Sequence, residues 1–97
     1  MDDELGRLSF ECANCRIKNY SASEGELTIE CANGFSPARI IFRKVLAFDL
    51  DEGCIDGVIF GVRKKQTEEG LTVFRLELKN GKKRHIEVVA ETMDYTE

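Results

Sequence analysis

The residues best equipped for chemistry are four cysteines, Cys12, Cys15, Cys31 and Cys54, and a single histidine, His85. Cys12 and Cys15 make a C-x-x-C pair within "SFECANCRIKNY", and its "ECAN" returns at Glu30–Asn33 in "ECANGF". A structural zinc site wants four nitrogen or sulfur ligands, commonly as two such pairs. The second copy has Gly34 where its second ligand would stand. Cys31, Cys54 or His85 would therefore have to be delivered to Cys12 and Cys15 by the fold. A thioredoxin-like pair sets its first cysteine at a helix N-terminus, which lowers the thiol pKa. No helical pattern follows Cys12. A simpler reading has each cysteine closing an apolar strand face before Ala-Asn turns the chain. Cys12, Cys15 and Cys31 are then expected to be reduced, buried and on one face, with no metal or cofactor between them. Asn14 would take the left-handed conformation that asparagine tolerates. A small zinc-binding domain using Cys12 and Cys15 is the alternative.

His85, between Arg84 and Ile86, falls on the polar side of an alternating stretch. No G-x-S-x-G, H-E-x-x-H, G-x-G-x-x-G or phosphate-binding loop is present. The chain therefore reads as a binding protein rather than an enzyme. The acidic run "DLDEGCID", with Asp49, Asp51, Glu52 and Asp56, starts like a calcium loop. Its glycine comes one position early, and Phe60 stands where the bidentate glutamate belongs. Two basic clusters remain, Arg63-Lys64-Lys65 and Lys79 with Lys82-Lys83-Arg84.

The elements that must position these residues follow from a period of two. Leu8, Phe10 and Cys12 alternate with polar neighbours, as do Leu27, Ile29 and Cys31, then Phe74, Leu76 and Leu78, then Ile86, Val88 and Ala90. Alternation of this kind marks strands with one buried face. It predicts about seven strands, near 7–12, 15–20, 25–31, 38–48, 54–62, 71–79 and 83–91. The fourth is interrupted at Lys44, where a bulge or short helical turn is expected. Asn80-Gly81 predicts a tight type I′ hairpin. The fold class is all-β: an antiparallel meander forming a curled sheet or small barrel-like sandwich, with little helix. A length of 97 residues makes one domain over 1–97, with 1–6 and 92–97 expected to fray. Phe10, Phe42, Phe48, Phe60 and Phe74 are expected to fill the interior, leaving little room for the cargo of a small-ligand carrier.

In a meander, turns alternate between the two ends of the sheet. The two basic clusters should then lie at opposite ends, and the acidic turn at 49–53 should share an end with Lys82-Lys83-Arg84. Asp49, Asp51, Glu52, Lys82, Lys83 and Arg84 are thus the candidate partner-binding set, a mixed-sign surface suited to another protein. The net charge of −4 argues against nucleic acid, whose binders are usually basic. No apolar run approaches the length of a membrane span, and "MDDELGRLSF" is not a secretory signal. The expectation is a cytoplasmic protein with reduced cysteines. Sheet edges leave room for a homodimer.

The stretches "LSFECANCRIKNY", "ELTIEC", "RIIFRKVLAFDL" and "FRLELKNGKKRHIEVVAE" together resemble small all-β bacterial proteins assigned as toxin-immunity proteins. The resemblance runs from about Leu8 to Ala90. It rests on a short first strand pair, an apolar strand ending F-x-x-V-x-x-F (Phe42, Val45, Phe48) and a final hairpin. It is a pattern of apolar positions with no catalytic signature, and the cysteines are not part of it. It implies a protein that acts by occluding a cognate toxin.

Overall fold

The structure, a computed structural model, describes the backbone of residues 2–4 and all of residues 14–96. Nine strands are present among the described residues: β1 (Asp2–Glu4), β2 (Cys15–Ser23), β3 (Glu26–Asn33), β4 (Ser36–Arg43), β5 (Ala47–Asp49), β6 (Val58–Gln66), β7 (Thr72–Lys79), β8 (His85–Ala90) and β9 (Thr92–Thr96). One 3₁₀ turn, Glu52–Cys54, precedes β6. All described pairings are antiparallel, in the order β5-β8-β7-β6-β2-β3-β4-β9, and β1 joins β6. The sheet is curled and does not close into a barrel.

The sheet has two leaves. One is the meander β6-β7-β8 with β5; the other is β2-β3-β4 with β9. They meet through a brief β2–β6 pairing, Cys15 opposite Ile59 and Arg16 opposite Val58. They also meet at a corner where two strands change leaf. Lys44, with φ +54°, swings the chain from β4 towards β5, and Glu91 carries β8 into β9. At the corner the Glu91 amide donates to the Arg43 carbonyl (3.1 Å), and Lys44 pairs with Glu91 (3.3 Å). Arg43 also pairs with Asp94. Strands that switch layers at such bends let a single sheet cover both sides of its own core.

That core is built by the alternation. β3 reads Leu27, Ile29, Cys31 inward and Glu26, Glu30 outward; β7 reads Thr72, Phe74, Leu76, Leu78 inward. Phe42 of one leaf meets Phe74 of the other edge to face, with centroids 5.6 Å apart. Burying each such large apolar side chain stabilises the fold by roughly 1.5–3 kcal/mol.

Several expectations need correction. The strand expected over 7–12 lies outside the described residues. Residues 92–96, expected to fray, instead form β9 along β4, because Met93 and Tyr95 continue the alternation and pack on the core. The strand expected at 54–62 begins at Val58, since Asp51 caps the preceding 3₁₀ turn. Arg63-Lys64-Lys65 lie within β6 and not in the turn after it. Asn80-Gly81 does not make a two-residue hairpin: Asn80 has φ +65°, Gly81 is not left-handed, and the loop runs from 80 to 84. Phe48 and Phe60 stay outside the core. Phe60 is the extra residue of a bulge between Ile59 and Gly61, and the swing at Lys44 carries Phe48 to an outermost strand.

Candidate partner-binding site

The acidic turn and the second basic cluster come together at one end of the molecule. Lys83 Nζ donates to Asp49 Oδ1 (3.0 Å) and lies 3.8 Å from Asp51 Oδ2. Asp51 also caps the 3₁₀ turn, its Oδ1 accepting from the Gly53 amide (2.8 Å). The Lys83 amide donates to the Gly53 carbonyl (3.2 Å), so the two loops are joined through backbone and side chain. Lys83 is only 19% exposed in its side chain. Its hydrogen bond to Asp49, supported by the charges of Asp49 and Asp51, raises the ammonium pKa above its ordinary value.

The fit of these loops depends on glycine. A Cβ on Gly81 would stand 3.1 Å from Gly57 Cα, and one on Gly57 would stand 3.0 Å from the Cys54 carbonyl oxygen. Of the six candidate residues, Asp49, Asp51 and Lys83 touch. Glu52 is exposed on the same 3₁₀ turn, and Lys82 is exposed beside Gly53. Arg84 is exposed at the entry to β8, and its carbonyl accepts from the Leu78 amide (2.8 Å).

Adjoining this charged end is an apolar surface the sequence reading missed. Leu46 is 68% exposed and Phe48 42% exposed. They line a groove of about 400 Å³ between β5 and the β2–β3 hairpin tip, whose other side carries Ala22, Gly25 and Leu27 together with the polar Ser23, Glu24 and Glu26. The Val45 amide donates to the Gly25 carbonyl (2.7 Å) and closes one end. Among the described residues β5 pairs only with β8, so it is an outermost strand. The signal was present in the broken alternation at Lys44: once the strand turns there, Leu46 and Phe48 no longer continue the inward row of Ile40 and Phe42.

Cys15 and Cys31 are buried on one face, with Ile17 directly opposite Cys31. Cys15 Sγ lies 3.7 Å from the Tyr95 hydroxyl, and Cys31 Sγ lies 3.6 Å from the Ala38 carbonyl oxygen. Cys12 is outside the described residues. Asn14 is left-handed, with φ +67°, as expected. Cys54 is buried on the 3₁₀ turn; burial first, then the Asp51 charge, pushes its thiol pKa up. Among the described residues, no three His, Cys, Asp or Glu side chains converge as a metal site. His85 is half-buried on the outer face of β8, its Nδ1 3.5 Å from Arg75 Nη2. Among the described residues no helix is long and apolar enough to cross a membrane.

Comparison of the chain with protein-family models, curated proteins and solved structures finds no match.

Proposed function

We propose that this protein is a non-catalytic binding module that covers a protein partner with the β5 edge, the part-apolar groove beside it and the adjoining charged loops. The carrying observation is two large exposed apolar side chains, Phe48 on the outermost strand β5 and Leu46 just before it, beside the Asp49–Asp51–Lys83 cluster. An apolar centre with a charged rim is the anatomy of a protein interface. Aromatic anchors supply the affinity, while rim charges select the partner. An extended partner segment can add to β5 through the main chain and place a side chain in the groove. The resemblance of the apolar pattern to that of toxin-immunity proteins favours a toxin as that partner.

The test uses the protein encoded beside this one as the probe. Native protein should bind it, Phe48→Asp should weaken binding at least a hundredfold, and Phe35→Asp at the distant β3–β4 tip should not. Failure of native protein to bind or neutralise that neighbour would defeat the immunity reading. Undiminished binding by Phe48→Asp would move the interface away from β5.

A further inference from the structure

The first basic cluster lies at the other end of the sheet, and the chain itself shows what suits it. In the antiparallel register of β1 on β6, Asp2 stands opposite Lys65, Asp3 opposite Lys64 and Glu4 opposite Arg63. All three facing positions join an acid to a base. Opposite charges at directly facing strand positions favour pairing, weakly where they are solvated.

Two features make β1 exchangeable. It is three residues long and lies off the main path of the sheet. It pairs with a part of β6 whose side chains are exposed or half-exposed, so its departure uncovers little core.

We infer that the edge of β6 at Arg63–Lys65 is a strand-accepting site for an acidic extended segment of another protein, and that Asp2–Glu4 occupies it as a built-in substitute. Main-chain pairing makes the site tolerant of sequence, and the cations, Arg63 and Lys65 on one face of β6 and Lys64 on the other, select for carboxylates at successive positions; Arg63 also pairs with Glu77 (2.7 Å), so Lys64 and Lys65 carry most of that selection. The tethered strand competes at a high effective concentration, so an incoming segment engages once β1 is displaced. This surface is separate from the β5 groove and does not depend on it.

The probe is a labelled synthetic peptide of residues 1–6, Met-Asp-Asp-Glu-Leu-Gly, titrated against the full chain by fluorescence anisotropy. Asp2→Lys, Asp3→Lys and Glu4→Lys together set like charges against β6 and should dislodge β1. That variant should bind the peptide at least tenfold more tightly than the native chain. Binding should vanish at about 0.5 M salt, where charges are screened within a few ångströms, and on adding Lys64→Glu and Lys65→Glu. Equal binding by native and variant chains, or equal binding of a control peptide in which Asn, Asn and Gln replace Asp2, Asp3 and Glu4, would overturn the proposal. A concentration-dependent dimer of native chain that the triple variant abolishes would also overturn it, in favour of strand exchange between copies. Hydrogen exchange on the native chain tests the same idea without any variant. Amides of Arg63–Lys65 that face β1 should exchange at least a hundredfold faster than those of Leu76 and Ile86, and equal protection would refute an exchangeable β1.

Discussion

The same dipeptide, Asn-Gly, sits at residues 33–34 and 80–81, and the two copies are used for opposite reasons. At the first, Asn33 ends β3 opposite Ser36, and Gly34-Phe35 is the two-residue loop. Gly34 has φ +67°, and a Cβ there would meet nothing within 4 Å. At the second, Asn80 takes the positive φ, and Gly81 matters because the Gly57 backbone leaves no room for a side chain. One glycine supplies a backbone angle and the other supplies space. The first makes an isolated tip; the second lets the Asp49–Asp51 turn close on Lys83.

Substitutions that separate angle from space should break this contrast if it is wrong. The largest effect is expected for Gly81→Ala, a loss of about 2–3 kcal/mol, as for overpacking against backbone, read as a lower urea midpoint. Next is Gly34→Ala, at about 1–2 kcal/mol, the cost of an alanine held left-handed. Gly34→Asn should regain most of that, since asparagine tolerates the angle, whereas Gly81→Asn should stay as damaging as alanine. Equal rescue at both sites would refute the distinction.

A gentler probe of the second loop is pH. Lys83 has a folded pKa above its unfolded value, so its contribution is complete below about 10.5, the ordinary lysine value, and fades as pH rises through the folded pKa. Cys54 acts in the same direction: its thiolate is disfavoured in the fold, so stability falls once pH passes the ordinary thiol value of 9.0. Thermal unfolding of native protein should decline across this alkaline range. Lys83→Met with Cys54→Ala should flatten the decline, and an unchanged profile would remove both groups as its cause. The smallest effect is expected for Asn80→Gly, a gain of no more than about 0.5 kcal/mol from easing a left-handed residue.

The sequence announced the buried faces well, because alternation and burial are one physical fact seen twice. Ile29, Ile40, Phe74, Leu76, Ile86 and Val88 are inside as the pattern requires. The meeting of the acidic turn with Lys83 was also legible, since it needed only the alternation of turns between ends. What was only partly legible was the consequence of a single residue's backbone. The interruption at Lys44 was expected, but not that its left-handed turn would divide one apparent strand into two and leave Leu46 and Phe48 outside. One extra residue at Phe60 reverses its face. β9 escaped notice because five residues carry too few periods to stand out.

The corner at Lys44 and Glu91 bears on how the chain must assemble. β4 cannot find its outer neighbour locally, because Ile40 is opposite Tyr95, a separation of 55 residues (95 − 40). β5 likewise waits for β8, with Ala47 opposite Val89. Pairings this remote come late and slow the search for the native state. During synthesis the β2–β3–β4 hairpins can form as soon as residue 43 emerges, yet β4 keeps an open edge until β9, at Thr92–Thr96, has also been made. The newborn protein is most exposed to sticking at that edge, and the arrival of β9 ends the exposure.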